Sequence, residues 1–169
     1  MGKAPTTDAV KRLEAENFVD VIPHQGIVVK ELSVQEMQQI NETRFVLEPY
    51  IAGKVAHIFT DEDAKKLRAY IERMKACAES LDHYEFIVQD HRMHMDLYSL
   101  FENKCMIEIL ENLRERIFTV GYTIVALREG RMQTTIAEHQ AILDALMKKD
   151  PAMAAEKMRV HLMNGWNLI

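Results

Sequence analysis

Apolar side chains recur at helical spacing along most of the chain after Leu32. The runs are separated by short segments that contain helix-capping residues, Pro or Gly. This pattern predicts helices over residues 33–57, 61–80, 83–102, 104–128, 131–149 and 151–166. Because short connections between long helices favour antiparallel neighbours, we predict an all-α antiparallel bundle of six or seven helices.

The first 32 residues follow a different pattern. A short charged helix is predicted from about Thr7 to Glu16, and two β-rich runs follow, Phe18 to Ile22 and Ile27 to Lys30. The segment between these runs contains Pro and Gly, which is typical of a β-hairpin. We therefore expect two domains, a small one over residues 1–32 and an all-helical one over residues 33–169.

Composition and charge limit the class of protein. The 21 Lys and Arg residues against 26 Asp and Glu residues give a formal net charge of -5, unlike the basic balance of domains that hold nucleic acid mainly through phosphates. No apolar run approaches the roughly 20 residues that cross a bilayer. Two cysteines without paired-thiol spacing fit a reducing compartment. We expect a cytoplasmic protein that does not contact a membrane.

Aspartate and histidine on apolar helix faces are the informative polar residues. Asp90 and His94 lie one turn apart in the apolar arc of one predicted helix. His139 and His161 lie in the apolar stripes of two further helices. A single histidine in such a place is usually a core residue bonded to a backbone carbonyl, but four groups aimed into one core favour a divalent metal. Zn²⁺ is the first choice, with Ni²⁺, Fe²⁺ or Mn²⁺ as alternatives.

The spacing of these residues does not match common catalytic motifs. No His follows a Glu by three residues, as a carboxylate-bridged di-iron bundle requires, and no His-Glu-x-x-His motif is present. There is no Gly-rich phosphate loop and no Gly-x-Ser-x-Gly elbow. A stand-alone metal-dependent enzyme or metal-binding bundle stays open as the alternative, although no base is evident beside the metal.

Arg44 is a charged residue on an apolar stripe, in line with Ile40 and Leu47. One interpretation is an ion pair with Glu48 one turn on, which contributes only a few tenths of a kcal/mol when exposed. The other is a guanidinium that reaches into a cavity and binds a carboxylate through two hydrogen bonds. The spacing alone does not decide between them.

Two segments near the start of the chain are "KRLEAE" (11–16) and "PHQGIVV" (23–29). They resemble the end of the recognition helix and the hairpin wing of the winged helix in the GntR family of bacterial transcription regulators. The rest resembles the FadR-type C-terminal effector domain, called FCD. The matching motifs are Arg44 with Leu47-Glu48-Pro49, Asp90-His91-Arg92-Met93-His94, His139 before Ile142-Leu143, and His161 after Ala154 and Met158.

The resemblance implies a function and a set of site residues. It implies that Asp90, His94, His139 and His161 ligate a divalent cation, and that a small organic acid in the adjoining cavity contacts Arg44. It implies that the helical domain forms a homodimer and that operator DNA is bound only by a full-length form with a complete winged helix. The DNA contacts implied in this chain are Lys3, Thr6, Thr7 and Lys11. We therefore expect a ligand-responsive transcriptional regulator and no enzyme.

Overall fold

The computed structural model describes residues 3–15 and 19–166 and divides into two compact units between Ser33 and Val34. The first unit contains helix α1 (Lys3–Ala15) and strands β1 (Val19–Ile22) and β2 (Gly26–Val29). The strands are antiparallel, with Val19 opposite Val29, which confirms the predicted hairpin. Glu16 and Phe18, at the predicted ends of the helix and the first strand, lie outside the described residues.

The second unit is all-helical in its described part, as predicted. Its helices are α2 (Val34–Ala56), α3 (Asp61–Ser80), α4 (His83–Ser99), α5 (Lys104–Asn112), α6 (Arg114–Leu127), α7 (Arg131–Met147) and α8 (Pro151–Trp166). No helix in the described ranges is long and apolar enough to span a bilayer.

The single helix predicted over residues 104–128 is wrong, because the chain forms two helices that meet at Leu113. The backbone there has φ -92° and ψ -3°, and its N–H donates to the carbonyls of Glu111 and Ile109. The hydrophobic pattern did not mark this break, since helical spacing continues on both sides of it. Elsewhere in this unit the predicted helix ends lie within three residues of the observed ones, whereas α1 begins four residues before the predicted Thr7.

Local capping explains where two of the helices begin. Thr60 and Asp63 form a reciprocal capping box at α3, in which the Asp63 N–H donates to Thr60 Oγ1 (3.2 Å) and the Thr60 N–H donates to the Asp63 carboxylate (3.0 Å). At α8, the Met153 N–H donates to Asp150 (3.0 Å), and Pro151 occupies the first helical position. These side chains supply acceptors to amides that have no partner within the helix.

Helices α2 and α8 pack closely against each other, as do α3 and α4, and α7 and α8. A Cβ atom on Gly53 would lie 3.1 Å from the backbone carbonyl oxygen of Pro151. Glycine at this position therefore lets α2 approach the start of α8. Apolar side chains such as Ile51, Phe86 and Leu143 are fully buried in the resulting core, and this packing brings α2, α4, α7 and α8 together around a small group of buried polar residues.

Candidate metal centre

Asp90, His94, His139 and His161 come together inside the helical unit. One potential ligand atom of each lies within 4.8 Å of those of the other three. The three histidines are 5%, 0% and 6% exposed, and the Asp90 side chain is 18% exposed. The structure thus brings together the four residues that the sequence singled out.

The helices place these side chains by simple periodicity. Asp90 and His94 are four residues apart on α4 and therefore share one face. His139 lies on the buried face of α7, and His161 lies beside the buried Met158 and Leu162 on α8. Because each residue is on the core side of its helix, packing the helices makes the four side chains converge.

The distances among the side chains suit binding to one ion. The Nε2 atoms of His94 and His139 are 3.1 Å apart, and His139 Nε2 lies 3.4 Å from Asp90 Oδ1. Two nitrogens that bind one ion through bonds of about 2.0–2.1 Å lie roughly 2.9–3.4 Å apart at angles between octahedral and tetrahedral. The ring centroids of His139 and His161 are 4.6 Å apart. The arrangement is therefore compact enough for a shared cation.

Burial keeps the imidazoles of His139 and His161 in the form that binds metals. It lowers the pKa of His139 well below its ordinary value, and the neighbouring His161 and His94 lower this pKa further. Burial also lowers the pKa of His161, although Glu138 opposes the shift. A neutral imidazole has the free lone pair that a metal ligand needs. His139 Nδ1 is buried without a hydrogen-bond partner among the described residues.

Glu138 orients the ring of His161 through a hydrogen bond to Nδ1. His161 Nδ1 donates to Glu138 Oε2 at 2.8 Å, which leaves Nε2 as the ligand atom. Arg131 donates to both carboxylate oxygens, at 3.1 and 2.9 Å, and Asn164 Nδ2 donates at 2.9 Å. Although burial favours the protonated acid, the hydrogen bonds from His161 and Arg131 lower the pKa of Glu138 to about 2. The carboxylate is therefore charged.

Glu48 has a similar position behind His94. His94 Nδ1 lies 3.2 Å from Glu48 Oε2 and 2.9 Å from Tyr98 Oη. Arg44 Nε donates to Glu48 Oε1 at 2.6 Å. Glu48 is fully buried, which favours protonation, yet the Arg44 charge holds its pKa well below the ordinary range. The Arg131–Glu138 pair thus supports His161 through a hydrogen bond, whereas the Arg44–Glu48 pair lies beside His94, whose Nδ1 is hydrogen-bonded to Tyr98.

A cavity of about 50 Å³ adjoins the cluster. Its polar lining consists of Asn41, Arg44, Asp90, Arg131, Thr135 and His161. Arg44 forms the ion pair with Glu48 and also lines the cavity, and its binding of a carboxylate there stays a prediction.

The sequence did not predict a role for four of these residues, Tyr98, Arg131, Glu138 and Asn164. A weak signal existed for Arg131, because Arg131, Thr135 and His139 follow one another at intervals of four residues on one helix face. Glu138 lacked such a signal, since its contact with His161 joins residues on different helices.

The residues implied in DNA contact belong to the first unit. Thr6, Thr7 and Lys11 are exposed on α1. The side chain of Lys3 lies outside the described residues.

Comparison with known proteins places these features in a family. The FCD domain model matches residues 39–164. The chain is 26% identical to the HTH-type transcriptional repressor GlaR of Escherichia coli K12, over 96% of this chain and 77% of that protein. It is 24% identical to the gluconate operon transcriptional repressor of Bacillus subtilis 168, over 94% of this chain and 66% of that protein.

A solved structure shares the fold. The structure of E. coli McbR/YncC superposes with a TM-score of 0.83 at 20% sequence identity, over 97% of this chain and 83% of that one. The likeness supports the all-helical architecture of the second unit together with the helix and hairpin of the first.

Proposed function

The chain belongs to the FCD-domain family of GntR-type transcriptional regulators, and from this premise we propose that it senses a small carboxylate through a bound divalent metal ion. It is a regulator and not an enzyme, because the FCD domain is regulatory and the relatives are named as regulators and repressors of transcription. In this proposal, effector binding controls DNA contact by a winged helix.

The observation that carries the proposal is the convergence of one carboxylate and three buried imidazoles beside a cavity that contains Arg44. Asp90, His94, His139 and His161 would hold the ion, and a nitrogen-rich set with one carboxylate suits Zn²⁺ first, then Ni²⁺, Fe²⁺ or Mn²⁺. The ion would supply a positive charge with affinity for oxygen donors at the wall of the cavity.

An organic acid suits the remaining lining of the cavity. A guanidinium binds a carboxylate through charge-assisted hydrogen bonds, and Arg44 faces the cavity from the side of α2. The cavity volume of about 50 Å³ limits the ligand to a small molecule. One relative is named for a gluconate operon, which supports an acid as the class of effector.

The output in this proposal is a shift between two arrangements of a homodimer. Residues 1–32 supply the contacts to DNA, through Lys3, Thr6, Thr7 and Lys11. Residues 33–169 supply the metal and effector site. The bound effector favours one arrangement because it has a higher affinity for that arrangement.

Calorimetric titration of the metal-loaded protein with monocarboxylates, dicarboxylates and sugar acids tests the proposal. Replacing Arg44 by Ala removes one charge-assisted contact, which should weaken binding of the best acid by about 1.5–3 kcal/mol, or roughly one to two powers of ten. Arg159→Ala is the matched control, because Arg159 also pairs with a Glu of its own helix but is exposed. The proposal fails if no acid binds better than millimolar, or if binding survives both chelation and Arg44→Ala.

A further inference from the structure

The buried positive and negative side chains at the cavity are unequal in number. Among the described residues its charged lining is Arg44, Asp90 and Arg131. Each arginine forms an ion pair with a glutamate outside the lining. Arg44 lies 2.6 Å from Glu48, and Arg131 lies 2.9 Å from Glu138. The side chains of these five residues are between 0% and 18% exposed. Water therefore screens their charges poorly. Two cations and three anions leave one net negative charge.

A bound divalent cation reverses this balance. With neutral imidazoles as its other ligands, the ion brings two positive charges, and the site then has one net positive charge. A buried charge without a counter-charge is costly. The metal-loaded site is therefore complemented by a ligand with a single negative charge, whereas a dianion would leave one negative charge buried without a partner.

The two guanidinium groups differ in what they can offer a ligand. Arg131 donates both terminal nitrogens to Glu138, at 3.1 and 2.9 Å, so its forked face is already occupied. Arg44 pairs with Glu48 through Nε, and this pair does not require its two Nη groups. Arg44 can therefore present both terminal nitrogens to a carboxylate. Arg131 has one N–H on each terminal nitrogen committed to Glu138, so it is the weaker of the two anion sites.

We propose that the effector is a small monoanion, an acid with one carboxylate and otherwise neutral groups, and that the cavity rejects dianions of the same size. This inference rests on the proposed function and specifies its ligand class. Asn41 and Thr135 offer hydrogen bonds to neutral hydroxyl groups in the remaining lining.

The test compares acids that share a carbon skeleton and differ by one carboxylate. The metal-loaded protein is titrated calorimetrically with butyrate and succinate, and with 2-hydroxybutyrate and malate, and elemental analysis afterwards checks that the metal is retained. We expect the monoacid of each pair to bind at least tenfold more tightly than the diacid. Chelated protein should bind none of these acids.

Variants at Asn41 change the charge of the cavity wall without removing an existing ion pair. Asn41→Lys should reduce or invert the monoacid preference, because the loaded site then has two net positive charges. Asn41→Asp should weaken monoacid binding at least fivefold, and the neutral control Asn41→Ala should keep the preference. Thermal melting of each loaded variant checks that it is folded.

The outcomes separate this inference from the function on which it rests. If a diacid binds the wild-type protein as well as its monoacid partner, the charge argument is overturned and the carboxylate-sensing function stands. If neither member of any pair binds, while the protein is folded and loaded, this inference is overturned, and the function falls with it only if no acid of the wider panel binds. The wild-type comparison decides the matter even where an Asn41 variant does not fold.

Discussion

At the residue scale, the hydrogen bonds that orient the histidine rings matter as much for metal binding as the four potential ligands do. Glu138 accepts a hydrogen bond from His161 Nδ1 and is itself held by Arg131 and Asn164. This support orients the ring and raises its basicity toward a metal. His139 has no such partner on Nδ1 among the described residues, so the three histidines are not equivalent.

Replacing Glu138 by Gln should lower metal affinity by about 10–100-fold. The amide keeps the size of the side chain but loses the charge, and its NH₂ group cannot accept a hydrogen bond from Arg131 or His161. Competition with a chelating dye measures the affinity. Glu156→Gln is the matched control, because Glu156 is an exposed residue of α8. Equal affinities in the two variants would contradict this role for Glu138.

The buried histidines also make the chelated protein sensitive to acid. The pKa values of His139 and His161 lie below the ordinary 6.5, because burial disfavours the charged form. The unfolded chain therefore takes up protons at a pH where the folded chain does not. The free energy of unfolding should thus be highest above pH 6.5 and fall as the pH drops below it.

Thermal melting of chelated protein between pH 7.5 and 5.5 checks this pH dependence. The melting temperature should decrease toward the acid end, and His139→Gln should make the decrease shallower because it removes one of the groups that take up protons. His57→Gln is the control, since His57 is exposed. An identical slope in wild type and His139→Gln would rule out this explanation.

At the scale of elements, the approach of α2 to α8 brings Arg44 and His161 to the lining of the same cavity. Gly53 allows this approach, since a Cβ there would be 3.1 Å from the Pro151 carbonyl oxygen. A backbone oxygen at the start of a helix moves less easily than a side chain. The close packing of these two helices therefore depends on the absence of a side chain.

Gly53→Ala should destabilise the protein by about 1 kcal/mol, although alanine favours helix. Gly121→Ala provides the matched comparison, because a Cβ there meets only Ile87 side-chain atoms at 3.5 Å or more. That variant should be as stable as wild type or more stable by up to ~1 kcal/mol. Chemical denaturation measures both. If both substitutions stabilise the protein to the same extent, the close contact at Gly53 is unimportant.

Helix α1 has little support from packing. From Thr6 to Ala15 its side chains are exposed, except Val10, which is half-buried. Short helices without packing are marginally stable. We expect no tight, sequence-specific operator complex from this chain at physiological salt, and a gel shift that shows one would contradict this expectation.

At the scale of the whole molecule, the site joins helices that are distant in the sequence. Asp90 and His94 come from α4, His139 from α7 and His161 from α8. An ion bound to all four would link three helices, and a ligand that binds only the folded state stabilises it by mass action. Metal and effector should also strengthen each other's binding, because such coupling is reciprocal.

Removal of the metal should therefore lower the melting temperature of the purified protein, and re-addition of Zn²⁺ should restore it. His139→Ala should abolish stoichiometric metal, as measured by elemental analysis. His57→Ala should retain the metal, because that exposed residue lies outside the cluster. Protein that contains no metal as purified, and takes up none on reconstitution, would refute the metal site.

Much of the architecture could be predicted because its causes are local. Helix starts such as those at Thr60 and Asp150 depend on side chains and amides within three residues of each other. Periodicity also placed Asp90 and His94 on the same helix face. The resemblance to FCD domains added that these two residues belong with His139 and His161, which periodicity alone could only suggest.

The tertiary structure decided the features that depend on how helices pack. The break at Leu113 has no marker in the hydrophobic pattern, and the Glu138–His161 contact joins positions 23 residues apart. The two roles of Arg44 also required the packed molecule. Periodicity determines which side of a helix faces the core, but the register and angle between helices determine which side chains meet there. Those two quantities come from packing over the whole core, and no short stretch of sequence specifies them.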